Sequence, residues 1–420
     1  MKEKFRGVVL ITVDSLRADH MSCYGYHRNT TPFLDKYVKE NRFYLNGVSA
    51  GPSTATTFPA LLSSTYFTSY PYKKLNKRWL PPDRKLISEL LPSEVATAAF
   101  HSNPFISSFY GYHRGFDVFH DYLITDSTVN AGIAGKIKRS MEITLGKPPF
   151  VTGEQINEDS LHWIKSTEDK FFLWNHYMEP HMPYLPPKEY IDAIGVEKVG
   201  HLRKLILGQR LNKNYGENLR DEDIPVLIDL YDACIRHTDD ILRQFINSLP
   251  KDVAILITAD HGEAFGEHGF LGHQAYLYDE LIHVPMILSA GKGAVPSPVS
   301  HLDIVPTILD LQGHRIPNRV MGDSLLKKPE REGVISEVTP RNMDIISYRG
   351  TDFKYIRDDL RAKEEFYDLK NDPGEQDNLI GEADVSYHKR VVNEHIEKQR
   401  KHRSRLEMNK ITGKISDLNI

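Results

Sequence analysis

The sequence predicts an α/β fold: a mostly parallel sheet sandwiched by helices, followed by a small C-terminal antiparallel-sheet subdomain. Two continuous apolar, β-branched runs, GVVLITV at 7–13 and VAILITA at 253–259, read as strands covered on both faces. Helical patterns alternate with strand patterns between them, which argues for a sheet with helices on both faces. Beyond about residue 330, short half-polar segments separated by turn residues read as an antiparallel meander.

The intervening strand candidates are EVATAAFHS at 94–102 and KFFLWNHY at 170–177, with VPMILSA at 284–290 after them. INEDSLHWIKST and IPVLIDLYDACIRHTDDILRQFINSL carry helical periodicity, and LDIVPTILDLQG reads as a short helix closed by Gly313. The meander candidates are IISYRG, FKYIRD and EEFYDL, followed by the turn cluster NDPGEQDN. From Tyr387 to Glu407 the chain is highly charged and reads as a solvated helix or as a contact to an acidic partner or a second copy. The expected organisation is a large α/β domain over 1–330, the small antiparallel-sheet subdomain over 331–380 and a charged helical tail over 381–420.

At 420 residues the chain has room for one large core and an appendage. A net charge of −4 supplies no global basic field, so nucleic acid is not an expected partner and an anionic substrate must be held by local groups. The two cysteines, Cys23 and Cys234, are expected to be reduced. No apolar run approaches a membrane span, and a soluble, cytoplasmic protein is expected.

Both long apolar strands end in acid, ITVD at Asp14 and ITAD at Asp260. Ligands of open α/β sheets collect beyond the carboxyl ends of the strands, although each Asp could instead cap a helix. His261 follows Asp260 directly, and carboxylate oxygen with imidazole nitrogen suits a divalent ion. Gly262 makes the turn that would let both reach one ion. The surrounding ADHGEAFGEHGFLGH also holds Glu263, Glu267, His268 and His273; its glycines have the wrong spacing for a dinucleotide loop. In MEPHMPYLPP, four prolines stiffen the loop that presents His181, a residue able to serve as acid or as anion-binding cation. Arg17 either reaches a bound anion or pairs with Asp19 or another carboxylate. In GPSTATTFPALLSSTY, Ser53 and Thr54 precede an apolar run that begins a helix.

VLITVDSLRADHMSCYGY, TPFLDKY, GPSTATTFPALLSSTY, GYHRGFDVF, NHYMEPHMPY, LITADHGEAFGEHG, YDELIHVPMIL, LDIVPTILDLQG and FYDLKNDPGEQDNL occur in this order. Together they resemble the sulfatase family of the alkaline phosphatase superfamily. The resemblance implies an ester hydrolase with Asp14, Asp260 and His261 as metal ligands and Thr54 in the nucleophile's place. His181 and His273 would act on the transferred group, with Arg17, Ser53 and His176 expected to contact the substrate. One divalent ion, Mn²⁺, Zn²⁺, Mg²⁺ or Ca²⁺, would be the cofactor, and Ser15 stands where many members have a second acid.

The resemblance also has a departure. Family members carry Cys, or sometimes Ser, in a Cys-x-Pro-x-Arg signature oxidised to formylglycine; here Thr54 is followed by Thr56 and Phe58, threonine cannot undergo that oxidation, and Ser53 is followed at those offsets by Ala55 and Thr57. A threonine ester must be opened by attack at the transferred centre, which favours phosphorus over sulfur. The expected substrate is a small anionic phosphate or sulfate ester. The alternatives are a phosphoryl-group transferase, a sulfatase working without formylglycine and an inactive binding module; homo-oligomerisation is left open.

Overall fold

The computed structural model describes residues 5–70, 79–122, 150–196, 199–212, 219–327, 330–340 and 343–417. Its main sheet comprises β1 (Gly7–Val13), β2 (Arg42–Tyr44), β4 (Ala96–Phe100), β5 (Val118–His120), β6 (Phe171–Tyr177), β7 (Val253–Ala259), β10 (Met286–Leu288) and β11 (Gly293–Val295). They lie in the order β11-β2-β10-β7-β1-β6-β4-β5. Two small pairs accompany it: β3 (Gly47–Val48) with β12 (Val299–Ser300), and β8 (Ala264–Phe265) with β9 (Leu271–Gly272).

The apolar runs of β1, β6 and β7 have the reason anticipated from sequence. Val9, Ile11 and Val13 point into one core, with Leu230, Ile241 and Phe245 of the long helix Ile224–Ser248. Val8 and Leu10 point into the opposite core with Phe58, Leu61 and Ile308. Each strand therefore buries both sets of alternating side chains, which leaves no polar face to show a period of two.

β1 runs parallel to both β6 and β7, with Val13 opposite Tyr177 on one side and Ala259 on the other. Asp14, Met178 and Asp260 consequently emerge at one edge. The strand candidate at 284–290 forms β10, which is antiparallel to both β2 and β7 within the otherwise mostly parallel sheet. An apolar strand carries no mark of its direction in its sequence, so only the pairing reveals it.

Three helices bear on that edge. α1 (Thr54–Ser63) starts beside it; α2 (Gly153–Ser166) and α3 (Ile224–Ser248) cover one sheet face. α4 (Ile304–Leu311) covers the other, and Gly313 closes it with φ of 79°.

The meander is a four-stranded antiparallel sheet, β13 (Gly333–Val338), β14 (Ile345–Gly350), β15 (Phe353–Asp358) and β16 (Lys363–Asp368), in sequence order. β13 was not singled out in the sequence. The charged tail forms α5 (Ser386–Asp417), but a fully solvated helix is not what the structure has. Val392, His395 and Gln399 are buried along one face. His395 donates to Glu337 (2.8 Å), while Ser69 donates to Gln399 (2.7 Å). Both cysteines are free, and among the described residues no helix is long and apolar enough to cross a membrane.

Candidate active site

Asp14, Asp260 and His261 meet at the edge where β1 and β7 end, and each offers one ligand atom within 4.8 Å of the other two. All three are fully buried. The Nδ1–H of His261 donates to the Gly262 carbonyl (2.8 Å), leaving Nε2 to face Asp260 Oδ2 at 3.4 Å and Asp14 Oδ1 at 3.9 Å. Gly262 permits this for a reason beyond a cheap turn: a Cβ there would stand 2.0 Å from the Glu280 carbonyl oxygen.

Ser15, between the first acid and the helical turns that follow, has φ of 58°. That left-handed conformation costs on the order of 1 kcal/mol or more for a residue with a side chain. It directs the Ser15 N–H to Asp260 Oδ1 (3.1 Å) and its hydroxyl to Asp14 Oδ1 (2.9 Å), stitching the two acids together.

Burial opposes the Asp14 charge, but His181, the His176 hydrogen bond and His261 outweigh it and hold the carboxyl well below the usual range. Burial and the facing Asp14 push Asp260 upwards. No Lys or Arg among the described residues is hydrogen-bonded to either carboxylate. Two buried carboxylates facing one imidazole edge are a donor set suited to a divalent ion.

Thr54 is the first residue of α1, and its hydroxyl donates to Asp260 Oδ2 (3.0 Å) with His261 Nε2 3.3 Å away. Ser53 is the N-cap, partly exposed, and its hydroxyl pairs instead with Thr56 Oγ1 (3.1 Å). Pro59 within this helix, and buried Leu61 and Leu62, anchor it in the core that also holds Trp174. At its other end Arg84 donates to the carbonyls of Pro59 (3.2 Å) and Thr65 (3.0 Å), fixing the helix from below.

His181 turns its Nδ1 to the Met182 carbonyl (2.7 Å), which leaves Nε2 as the open edge. Its ring centroid lies 5.5 Å from that of His273, which in turn lies 4.5 Å from His261. Burial opposes a charge on His273, but the Glu263 carboxylate beside it raises the imidazole to about 9. The same centre therefore has a cationic ring at neutral pH.

Two expected substrate contacts lie elsewhere. Arg17 donates to Asp19 through Nε (2.8 Å) and Nη2 (2.6 Å), and through Nη1 to the Glu263 carbonyl (2.9 Å) and to Glu267. Its guanidinium is occupied by protein acceptors, as in the salt-bridge alternative. His176 is fully buried behind Asp14. The Thr12 hydroxyl, which receives the Trp174 indole N–H (2.9 Å), lies 3.0 Å from Nδ1, and Nε2 donates to Asp14 Oδ2 (3.3 Å). Both of its ring nitrogens thus face buried protein groups, one of them Asp14. Asn103, absent from the sequence-based set, donates to the same Asp14 oxygen (2.7 Å). Its only sequence signal is its place after the apolar run of β4.

The Sulfatase family model matches residues 6–314. This chain belongs to the sulfatase family. A sulfatase from Escherichia coli K12, YidJ, is 29% identical over 54% of this chain and 51% of its own length, so the chain spans about half of that relative. An arylsulfatase of Clostridium perfringens is 24% identical over 93% of this chain and 94% of its own. Among solved structures, the phosphonate monoester hydrolase of Agrobacterium radiobacter superposes with a TM-score of 0.73 at 17% identity, covering 94% and 96% of the two chains. A protein solved with its substrate D-glucosamine-2-N,6-O-disulfate also gives 0.73, at 18% identity over 95% and 98%. These likenesses establish the alkaline-phosphatase-like fold anticipated from sequence. Its fold neighbours thus include a phosphonate monoester hydrolase and a protein solved with a disulfated sugar as its substrate.

Proposed function

We propose that this sulfatase-family protein hydrolyses small anionic esters, phosphate in preference to sulfate, through a covalent intermediate on Thr54. The observation that carries the reading is the Thr54 hydroxyl 3.0 Å from Asp260 Oδ2 and 3.3 Å from His261 Nε2, inside the prospective metal cluster. Asp14, Asp260 and His261 would hold one divalent ion, which supplies the positive charge that lowers the pKa of a hydroxyl and offsets negative charge on the substrate. Asn103, His176 and Ser15 keep Asp14 oriented for that task.

In the first step Thr54 Oγ1 bonds to phosphorus as the bond to the leaving oxygen breaks, and its proton passes to Asp260 Oδ2, which already accepts it in a hydrogen bond. His181 or His273 donates a proton to that oxygen, while the other holds the non-bridging oxygens. The amino end of α1 adds backbone N–H groups and about 0.3–1 kcal/mol of favourable charge interaction. Water then attacks phosphorus and gives a proton to the imidazole that protonated the leaving oxygen, while the Thr54 ester bond breaks and the proton held by Asp260 restores the hydroxyl.

Phosphorus is favoured because both steps occur at the transferred centre, and an unmodified threonine has no elimination route that spares attack on sulfur. The deciding experiment is a panel of nitrophenyl sulfate, phosphate monoester, phosphodiester and phosphonate, each with Mn²⁺, Zn²⁺, Mg²⁺ or Ca²⁺. Fast sulfate turnover without phosphoryl turnover would reverse the substrate preference.

A further inference from the structure

We propose that Glu263 is a positioning residue that aims the His273 imidazole at the reacting centre, an assignment that rests on the reading of His273 as a contact to the substrate. Glu263 is fully buried, and its Oε1 lies 3.1 Å from His273 Nδ1. Its other oxygen has no hydrogen-bond partner among the described residues. A buried carboxylate in that position is costly unless it is paired; the imidazole N–H is its hydrogen-bonded partner, and the buried Tyr184 hydroxyl is the other polar side chain beside it.

Imidazole geometry makes the pairing consequential. The two ring nitrogens donate in fixed, divergent directions. With Nδ1–H directed to Glu263, Nε2 occupies the opposite edge of a ring packed 4.5 Å from His261 and 5.5 Å from His181. Unpaired, the ring could turn about its side-chain bonds and present either nitrogen. Glu263 is itself held by its backbone, because its carbonyl receives Arg17 Nη1 (2.9 Å) while Asp19 and Glu267 fix the rest of that guanidinium. Arg17 thus supports the site from behind Glu263.

The test uses metal-loaded, full-length protein in two measurements. In ¹⁵N-histidine NMR, the His273 signals are assigned by their loss in His273→Ala. A hydrogen-bonded Nδ1–H is expected in the native protein and in Glu263→Gln, which keeps an acceptor oxygen, and is expected to vanish in Glu263→Leu. A native ring without that proton, or an unchanged signal in Glu263→Leu, overturns the assignment. This readout needs no turnover, so failure of every ester in the panel would sink the proposed function while the pairing remained measurable.

The second measurement is a double-mutant cycle on kcat/KM. Glu263→Leu is expected to lower it about 10–100-fold in the native background but less than about 2-fold in His273→Ala. An equal loss in both backgrounds would mean that Glu263 acts on the fold or the metal ligands, and would overturn the positioning role. Glu263→Gln is expected to recover most of the loss.

Discussion

The Asn103 side-chain amide donates to Asp14 Oδ2 over 2.7 Å, binding the loop after β4 to the acid that ends β1. Partners that orient a ligand carboxylate commonly change metal affinity or activity about 10–100-fold when removed. Asn103→Ala is therefore expected to weaken divalent-ion binding by that factor. Calorimetric titration of metal into apo-protein checks it, and an unchanged affinity would show that His176 and Ser15 orient Asp14 alone.

The two hydroxyls at the head of α1 should separate cleanly. Thr54→Ala is expected to lower kcat by about 10³-fold or more, as removal of a nucleophile does. Ser53→Ala, which loses only the hydroxyl contact to Thr56, is expected to retain turnover within about 10-fold. Initial rates under saturating metal decide it; full activity in Thr54→Ala would remove the nucleophile assignment.

Glu179 lies in the loop ahead of His181 with one oxygen receiving the Gly153 N–H (2.6 Å) and the other unpartnered. Burial raises its carboxyl from 4.5 to about 7. The folded state therefore holds the proton more tightly than the unfolded chain, and this contribution to stability is complete below pH 4.5 and lost as pH rises through 7. At about 1.4 kcal/mol per unit, the loss is on the order of 3 kcal/mol. Urea unfolding at pH 5 and pH 8 should show Glu179→Gln flattening that decline; parallel profiles for the two proteins would refute it.

Glu337 joins three parts of the molecule: its Oε1 receives the Thr68 N–H (2.6 Å), and its Oε2 receives the Thr68 hydroxyl (2.9 Å) and His395 of α5 (2.8 Å). Glu337→Leu leaves those donors buried without an acceptor. A loss of about 1–3 kcal/mol is expected for each of the three groups left unmatched, so roughly 3–9 kcal/mol in total. Denaturant unfolding measures it, and a loss below about 1 kcal/mol would show that α5 docks through its apolar contacts.

The strands and acids were legible because their signals are local. An unbroken apolar run marks a doubly covered strand, and the residue after it must emerge at the sheet edge, which located Asp14 and Asp260. Thr54 was legible as a hydroxyl at the head of an apolar helix. Partners distant in the chain were not. Arg17 finds Glu267 across 250 positions, and nothing in DSLRAD distinguishes that pairing from an anion contact. His176 faces inward because both sides of β6 are covered, so alternation gives no hint of which side meets the site. Val392, His395 and Gln399 do follow helical spacing, but two of the three are polar and so left no apolar stripe.

The placement of β1 between β6 and β7 also has a consequence in time. β1 ends at Val13, while β7 begins at Val253, so about 240 residues must be synthesised before the first strand gains its second neighbour. At about 5–20 residues per second this takes roughly 10–50 s on the ribosome. Throughout that interval a largely apolar strand lacks at least one of its two hydrogen-bonding neighbours, and until β6 is made it lacks both. The nascent chain is thus predisposed to need shielding from other chains before it can have any activity at all.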